Sequence, residues 1–189
     1  MKIDLAKSDK HYYTASTEPE LRTFEPYHYL TVTGMGAPAG PEYTEALTAL
    51  YRTAYGIKKA AKAAEQDFVV PKLEGLWWVE SDRPPLTVPR EEWHWQLLIR
   101  MPEVATERAA AELVEKPVTI ERVHEGLTVQ ALHLGPYATE PETLARMDAF
   151  MSAEGLTMNG RHHEIYLSDP RRTPGPKTKT ILRHPARRL

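Results

Sequence analysis

Two hydrophobic periodicities alternate along the chain and predict an α+β fold. Runs such as YLTVTG, LWWVE and WHWQLLIRM are rich in aromatic and β-branched residues, which is typical of strands. Apolar residues recur at helical spacing after Pro41, again over 103–117 and again over 140–155, which predicts three helices. The middle helix is expected to end at Pro117, because proline does not continue a helix.

The order of these elements predicts two strand-helix-strand-strand modules, at about 27–101 and 118–185. Each module contains a strand that ends in Ser-Asp, GLWWVESD in the first and HHEIYLSD in the second, and this match places Trp77 at the position of Glu164. Two such modules are expected to form an antiparallel sheet with helices on one side and a ligand cleft between the modules. Residues 27–189 are thus predicted to be one domain, preceded by a loosely packed N-terminal arm over 1–26.

The strand in NGRHHEIYLSDPRRT carries an acidic residue in an unusual place. Because side chains alternate along a strand, His162, Glu164 and Tyr166 are expected on one face, and His163 and Ile165 on the other. A carboxylate in mid-strand loses solvation when it is buried, so it needs a hydrogen-bond partner, a cation or a function. Periodicity alone leaves two interpretations open, a solvated edge strand and a binding surface.

Composition and charge exclude several classes of partner. The formal net charge of −2 gives no general attraction to nucleic acid or to an anionic membrane, and no run approaches the roughly 18 apolar residues of a membrane span. Because the chain has no cysteine, disulfides and thiolate catalysis are excluded. We therefore expect a cytoplasmic protein without a nucleic-acid or membrane partner, whose basic C-terminal HPARRL is a solvated tail.

The familiar catalytic and cofactor motifs are missing from the sequence. There is no phosphate-binding glycine loop, no G-x-S-x-G elbow and no H-E-x-x-H pair. Histidines and Glu164 on neighbouring strands offer zinc-ligand chemistry, but His162 and His163 point to opposite faces of their strand. The histidines are interpreted as structural or surface residues, so neither a metal nor a cofactor is predicted.

Aromatic residues are concentrated in the first module. Two adjacent predicted strands carry four tryptophans, and the preceding helix carries Tyr51 and Tyr55 one turn apart. Such a cluster either fills a core or lines a cavity for a flat ligand. Which of Trp77 and Trp78 faces that cavity depends on the strand register, and the match between the modules favours Trp77.

Four segments, LEGLWWVE, WHWQLLIRMP, HEGLTVQALHLGPY and GRHHEIYLSDPRRT, resemble the GyrI-like small-molecule-binding family. The likeness runs from about Tyr29 to Pro185 and is greatest to the stand-alone cyclopropanoid cyclopropyl hydrolases. It implies the duplicated module fold, with Glu164 at the floor of an aromatic pocket. No DNA-binding helix-turn-helix flanks this region, so a transcription factor is not expected.

The resemblance implies a function in detoxification, in which water opens the strained ring of cyclopropanoid DNA-alkylating compounds. Glu164 is then the candidate base or water-orienting group, and Tyr166 or Tyr55 the candidate proton donor. The expected partner is a flat, hydrophobic or aromatic small molecule, and the oligomeric state stays open. The candidate ligand-binding residues are Tyr51, Trp77, Trp78, Trp95, His133 and Tyr137.

Two alternatives from other functional classes remain at this point. The first is a non-catalytic module that sequesters or senses a flat aromatic or cationic compound. The second is an interaction protein of the gyrase-inhibitor kind, which would need an exposed apolar surface in place of a deep pocket.

Overall fold

Strands and helices alternate through the chain, so the predicted α+β fold is confirmed. The computed structural model describes residues 2–106, 110–169 and 171–189. The strands are β1 (Glu20–Phe24), β2 (Tyr27–Met35), β3 (Leu73–Val79), β4 (Trp93–Arg100), β5 (Thr119–Val123), β6 (Gly126–Leu134), β7 (Leu156–Met158), β8 (His162–Tyr166) and β9 (Lys179–Arg188). The helices are α1 (Leu5–Ser8), α2 (Lys10–Tyr13), α3 (Pro41–Ala63), α4 (Glu103–Thr106), α5 (Ala110–Leu113) and α6 (Glu140–Ala153).

The chain divides into two compact units, each built on antiparallel strands. The first unit comprises residues up to Ser8 together with Tyr27–Val123, and its strands lie in the order β3, β4, β2, β5. The second unit comprises Asp9–Pro26 and His124–Leu189, and its strands lie in the order β1, β6, β9, β8, while β7 pairs with the far end of β9. The assignment of 27–189 to a single domain of two modules stays a prediction.

A long amphipathic helix covers one face of the strands in the first unit. The helix α3 begins at Pro41, where the missing backbone N–H would have had no partner within the helix. Leu50, Ala54 and Ile57 follow at helical spacing and are fully buried. Trp95 belongs to the same core, and a side chain at Gly34 would place its Cβ 2.3 Å from the indole ring of Trp95.

The helix α6 covers one face of the strands in the second unit. Met147 and Met151 of this helix share a core with Val129, Ala131 and Leu182 of β6 and β9. All five side chains are almost fully buried. Burial of a large apolar side chain stabilises a fold by roughly 1.5–3 kcal/mol, so these contacts hold α6 on the strands.

The opposite face of β9 buries a charged cluster around Arg183, a residue with no exposed surface. Its guanidinium donates to the Glu125 carboxylate at 3.4 Å and to the Gln130 side-chain oxygen at 3.0 Å. A further bond of 2.8 Å runs from the guanidinium to the carbonyl oxygen of Tyr12. His163 Nδ1 lies 2.8 Å from the other carboxylate oxygen of Glu125. Burial alone would raise the pKa of Glu125, but the charges and hydrogen bonds of His163 and Arg183 lower it to about 2.

Residues 9–26 do not form a loosely packed arm, so that prediction was wrong. The strand β1 pairs with β6, and the buried rings of Tyr12 and Phe24 lie 4.6 and 3.9 Å from the Arg183 guanidinium. The prediction failed because these aromatic residues contact a cation that is remote in sequence. The predicted solvated tail was also wrong, since β9 continues to Arg188 and His184 within it is buried.

The predicted helix over 103–117 is present as α4 and α5, while residues 107–109 lie outside the described residues. The helix α5 already ends at Leu113, so the predicted end at Pro117 was too late. None of the helices in the described ranges has the length and apolar character needed to cross a membrane.

We expect the Glu125→Gln variant to lose about 3–5 kcal/mol of unfolding free energy at pH 7, because Arg183 is then buried without its counter-charge. Since folding lowers the pKa of Glu125 from 4.5 to about 2, its stabilising contribution is complete above pH 4.5 and disappears as the pH falls towards 2. Urea unfolding at several pH values should therefore show the wild type and the variant converging in acid. Glu18→Gln is the control, because the Glu18 side chain is 78% exposed. A constant difference between pH 7 and 3 would contradict the assignment.

We expect Gly34→Ala to destabilise the protein by about 1–3 kcal/mol, because the added methyl group displaces the Trp95 ring. Urea unfolding followed by tryptophan fluorescence measures the change. Gly56→Ala is the matched control, since a Cβ at this position in α3 meets no atom within 4 Å. That substitution should stabilise by about 0.5–1 kcal/mol, as alanine does in a helix interior. Equal stability of Gly34→Ala and wild type would show that the Trp95 packing is loose.

Candidate functional site

The strand β8 has the alternation that the sequence predicts. His163 and Ile165 are buried on one face, while His162, Glu164 and Tyr166 lie on the other. The Glu164 side chain is only 13% exposed, so the solvated-edge interpretation does not apply. What the buried carboxylate contacts therefore decides its chemistry.

Three side chains form hydrogen bonds with the Glu164 carboxylate. The nitrogen Nε2 of His162 lies 2.9 Å from Oε1, and the hydroxyl of Tyr166 donates to Oε2 at 2.6 Å. The side chain of Glu140, the first residue of α6, forms the third hydrogen bond. A carboxylate has about four acceptor positions, and the described residues fill three of them, which leaves one for a further donor such as a water molecule.

Burial and hydrogen bonding act in opposite directions on Glu164. Burial alone would raise the pKa of Glu164, but the hydrogen bond and the charge of His162, together with the hydrogen bonds of Tyr166 and Glu140, lower it below its usual range. Glu164 is therefore ionised near neutral pH and can only accept hydrogen bonds.

A second histidine extends this arrangement onto the neighbouring strand. His162 Nδ1 lies 2.9 Å from Nε2 of His184 on β9, and the two rings meet edge to face at an interplanar angle of 80°. Only 7% of His184 is exposed. Burial and the nearby His162 lower the pKa of His184 to about 3, so His184 is neutral under ordinary conditions. The carboxylate and the two imidazoles form one continuous chain.

Tyr137 lies at the exposed side of this cluster. It is 41% exposed, and its ring meets the Tyr166 ring edge to face at 6.0 Å. Burial and the negative charges of Glu164, Glu140 and Asp169 raise the pKa of Tyr137 to about 12. Tyr137 is thus a neutral phenol that a ligand can reach.

His133, another candidate ligand-binding residue, is held by the start of α6. Its Nδ1 bonds to the Thr143 hydroxyl at 2.8 Å, and its Nε2 lies 3.0 Å from the Pro136 carbonyl oxygen and 3.1 Å from the Thr139 hydroxyl. Both ring nitrogens are therefore engaged within the protein. In this arrangement His133 positions α6 and has no nitrogen available to a ligand.

The aromatic candidates of the first unit separate into distinct groups. Trp77 and Trp95 face each other across β3 and β4, and Tyr43 of α3 contacts both rings. Trp78 points to the other face and stacks on His94 at 5.4 Å. Trp77 and Trp95 are buried, and the Trp95 Nε1 has no hydrogen-bond acceptor among the described residues.

The two tyrosines of α3 form another group in the first unit. Tyr51 and Tyr55 stack on each other at 6.4 Å, and Tyr55 is 56% exposed. Their spacing of one helical turn brings the rings together, as the sequence suggests. In the second unit the structure groups Glu164, Tyr166 and Tyr137 around one cluster.

Sequence reasoning missed Glu140 and His184 as members of the Glu164 cluster. Glu140 resembles an ordinary acidic residue in the first turn of a helix, and its local sequence carries no further signal. A signal did exist for His184, because strand alternation places it on the same face as Leu182, which is opposite Glu164 in the register. Across the described ranges, no group of three or more histidine, aspartate or glutamate residues is placed to hold a metal ion.

We expect Glu164→Gln to lower the pKa of Tyr137 from about 12, because removal of the nearby negative charge makes the tyrosinate less unfavourable. Titration of ¹³C-labelled tyrosine by NMR, with the Tyr137 signal assigned through Tyr137→Phe, measures this change. Glu154→Gln, an exposed position at the end of α6, is the control and should leave the titration unchanged. A higher or unchanged pKa in Glu164→Gln would show that the two groups do not interact.

Known proteins resemble the chain in sequence and in fold. An uncharacterized conserved protein from Listeria innocua is 38% identical, with a TM-score of 0.88 over 98% of this chain and 100% of that chain. A hydrolase from Listeria innocua is 36% identical, with a TM-score of 0.84 over 98% and 100% of the two chains. The C-terminal domain of EcmrR, 8% identical with a TM-score of 0.62 over 91% and 98%, shares the fold alone.

Comparison with curated proteins gave no match. The model of the GyrI-like small molecule binding domain matches residues 17–185, which is most of the chain. This chain therefore belongs to the GyrI-like small-molecule-binding domain family.

Proposed function

We propose that this protein binds a flat aromatic small molecule and hydrolyses cyclopropanoid electrophiles, with Glu164 as the base. One observation carries the proposal: Glu164 is largely buried, ionised, and has one acceptor position left after three hydrogen bonds. A carboxylate in this state can accept a proton from a bound water molecule. The family match supports small-molecule binding, and the 36% identity to a hydrolase from Listeria innocua supports a hydrolytic reaction.

The reaction needs one proton acceptor and one proton donor. Water attacks a ring carbon of the cyclopropane, a C–O bond forms, and the strained C–C bond breaks. The released electron pair moves into the conjugated carbonyl group, whose oxygen becomes a phenolate and then takes a proton. Glu164 accepts the proton of the attacking water, and the net change is the addition of one water molecule to the substrate.

The contacts of Tyr166 fit the role of proton donor better than those of Tyr55 do. The Tyr166 hydroxyl already contacts Glu164 at 2.6 Å, whereas Tyr55 lies in the first unit and is 56% exposed. If Tyr166 gives its proton to the phenolate of the product, Glu164 can return the proton taken from water along the same hydrogen bond. Both residues then regain their starting states without bulk solvent.

Aromatic side chains are proposed to bind the flat body of the substrate. Tyr137 is 41% exposed next to Tyr166, so a ring system can stack there. Trp95 also stays a candidate for ligand contact, although its side chain is almost fully buried in the core of the first unit. Tyr51, Trp77, Trp78 and His133 stay candidates for ligand contact, and for His133 the engaged ring nitrogens argue against the role.

A second function, non-catalytic sequestration of a cationic aromatic compound, is favoured by the same ionised carboxylate. A buried negative charge beside tyrosine rings attracts a flat cation, as aromatic cages do. This function needs no attacking water and no proton donor. The two functions therefore differ in turnover and in their response to loss of the Glu164 charge.

We expect the wild type to convert a cyclopropane-containing alkylating compound into its water adduct in molar excess over protein. Mass spectrometry in ¹⁸O-labelled water follows the product and should show one labelled oxygen. Glu164→Gln should reduce the rate by about 10²–10⁴-fold, which is the usual effect of removing a general base. Glu154→Gln, the exposed control, should keep the wild-type rate.

Two outcomes would contradict this proposal. Full turnover by Glu164→Gln would exclude Glu164 as the base. Stoichiometric retention of the unchanged compound, without turnover, would replace hydrolysis by sequestration.

A further inference from the structure

The hydrogen-bond chain from Glu164 ends at an isolated nitrogen. His184 Nδ1 is buried and has no hydrogen-bond partner among the described residues. The other ring nitrogen of His184 bonds to His162, and His162 bonds to Glu164, both at 2.9 Å. A buried N–H without an acceptor is costly, because it loses its hydrogen bonds to water and gains none. The protons along the chain can therefore be assigned from these partners.

The assignment of protons starts at Glu164, the ionised end of the hydrogen-bond chain. Glu164 only accepts, so His162 carries a proton on Nε2 and donates it to Oε1. If His162 is neutral, its Nδ1 is an acceptor, and His184 must donate from Nε2. His184 Nδ1 then carries no proton. The isolated nitrogen is therefore an acceptor, and no N–H group is buried there without a partner.

The opposite assignment, in which His162 is doubly protonated, is unfavourable because of the same isolated nitrogen, His184 Nδ1. If His162 carried protons on both nitrogens, His184 would have to accept at Nε2. A neutral His184 would then carry its proton on Nδ1, where the described residues offer no acceptor. The buried end of the chain thus favours one direction for both hydrogen bonds.

We propose that His184 is a positioning residue, whose hydrogen bond to His162 Nδ1 acts together with the Glu164 carboxylate to hold His162 in the tautomer that directs its Nε2–H at Glu164. This inference rests on the proposed role of Glu164 as the base. Without the donor from His184, His162 can carry its proton on Nδ1, and the lone pair on its Nε2 then faces the carboxylate. That arrangement loses a hydrogen bond to Glu164 and adds a repulsion.

The ionisable groups around the chain set its response to pH. Tyr166 of β8 and Glu140 of α6 bond to Glu164, and the charge of His162 opposes the rise that burial causes in the pKa of Asp148 of α6. Burial raises the pKa of Glu164, and the His162 hydrogen bond is the first contribution that opposes it. Loss of this bond should raise the pKa of Glu164, so the base becomes protonated at a higher pH and activity on the acidic side is lost earlier.

The ¹⁵N chemical shifts of His162 test the tautomer directly, with or without any turnover. In the wild type at pH 7 we expect a protonated Nε2 and an unprotonated Nδ1. His184→Leu should shift His162 towards the Nδ1–H or the doubly protonated form. His184→Gln, whose side-chain amide can donate in place of the imidazole N–H, should restore the wild-type pattern. An Nδ1–H tautomer or an imidazolium in the wild type, or an unchanged pattern in His184→Leu, would overturn the inference.

The pH dependence of hydrolysis tests whether loss of His184 raises the pKa of Glu164. We expect His184→Leu to lose at least about tenfold in kcat relative to the wild type on the acidic side, where a shift of one pKa unit changes the ionised fraction by that factor. On the alkaline side the two rates should converge, and His184→Gln should follow the wild type throughout. A uniform loss of rate at every pH would show that His184 acts only through folding. If the wild type shows no turnover, the proposed function fails, whereas the ¹⁵N shifts still decide the tautomer.

Discussion

The pairing register of β8 and β9 is the constraint on which the candidate site depends. His163 lies opposite Arg183 on one face, and both belong to the fully buried cluster with Glu125. Because side chains alternate, the same register places His162 beside His184 on the other face. A shift of β8 by one residue would exchange its two faces, which would take His163 away from Glu125 and His162 away from His184.

The carboxylates of Glu125 and Glu164, which lie in the two polar clusters next to these strands, are stabilised in different ways. Glu125 is balanced by a full positive charge on Arg183 and by His163, and the rings of Tyr12 and Phe24 close the guanidinium off from water. Glu164 is held by hydrogen bonds from His162 and Tyr166 and has no arginine partner of the kind that Glu125 has among the contacts of the described residues. Stabilising an anion mainly by hydrogen-bond donors keeps its charge available to a water molecule or to a cationic ligand.

Sequence periodicity predicted the fold class, the antiparallel pairing and the faces of β8, because these follow from local alternation and helical spacing. It also located Glu164 as an exceptional residue. It failed for the N-terminal segment, because Tyr12 and Phe24 owe their burial to Arg183 far along the chain. Glu140 was missed for the same physical reason: its contact with Glu164 arises only when α6 lies on the strands. Trp77 and Trp78 were separated by the register of β3 with β4, which a sequence with four neighbouring tryptophans does not define.

The central claim is that Glu164 is an ionised carboxylate held by hydrogen bonds from His162 and Tyr166. An NMR titration of protein with ¹³C-labelled glutamate side chains tests it most directly, with the Glu164 signal assigned by its loss in Glu164→Gln. The account predicts that the Glu164 carboxyl titrates below the usual range of glutamate and is fully ionised at neutral pH. A Glu164 signal that titrates above that range would show a neutral acid dominated by burial, and would contradict the claim.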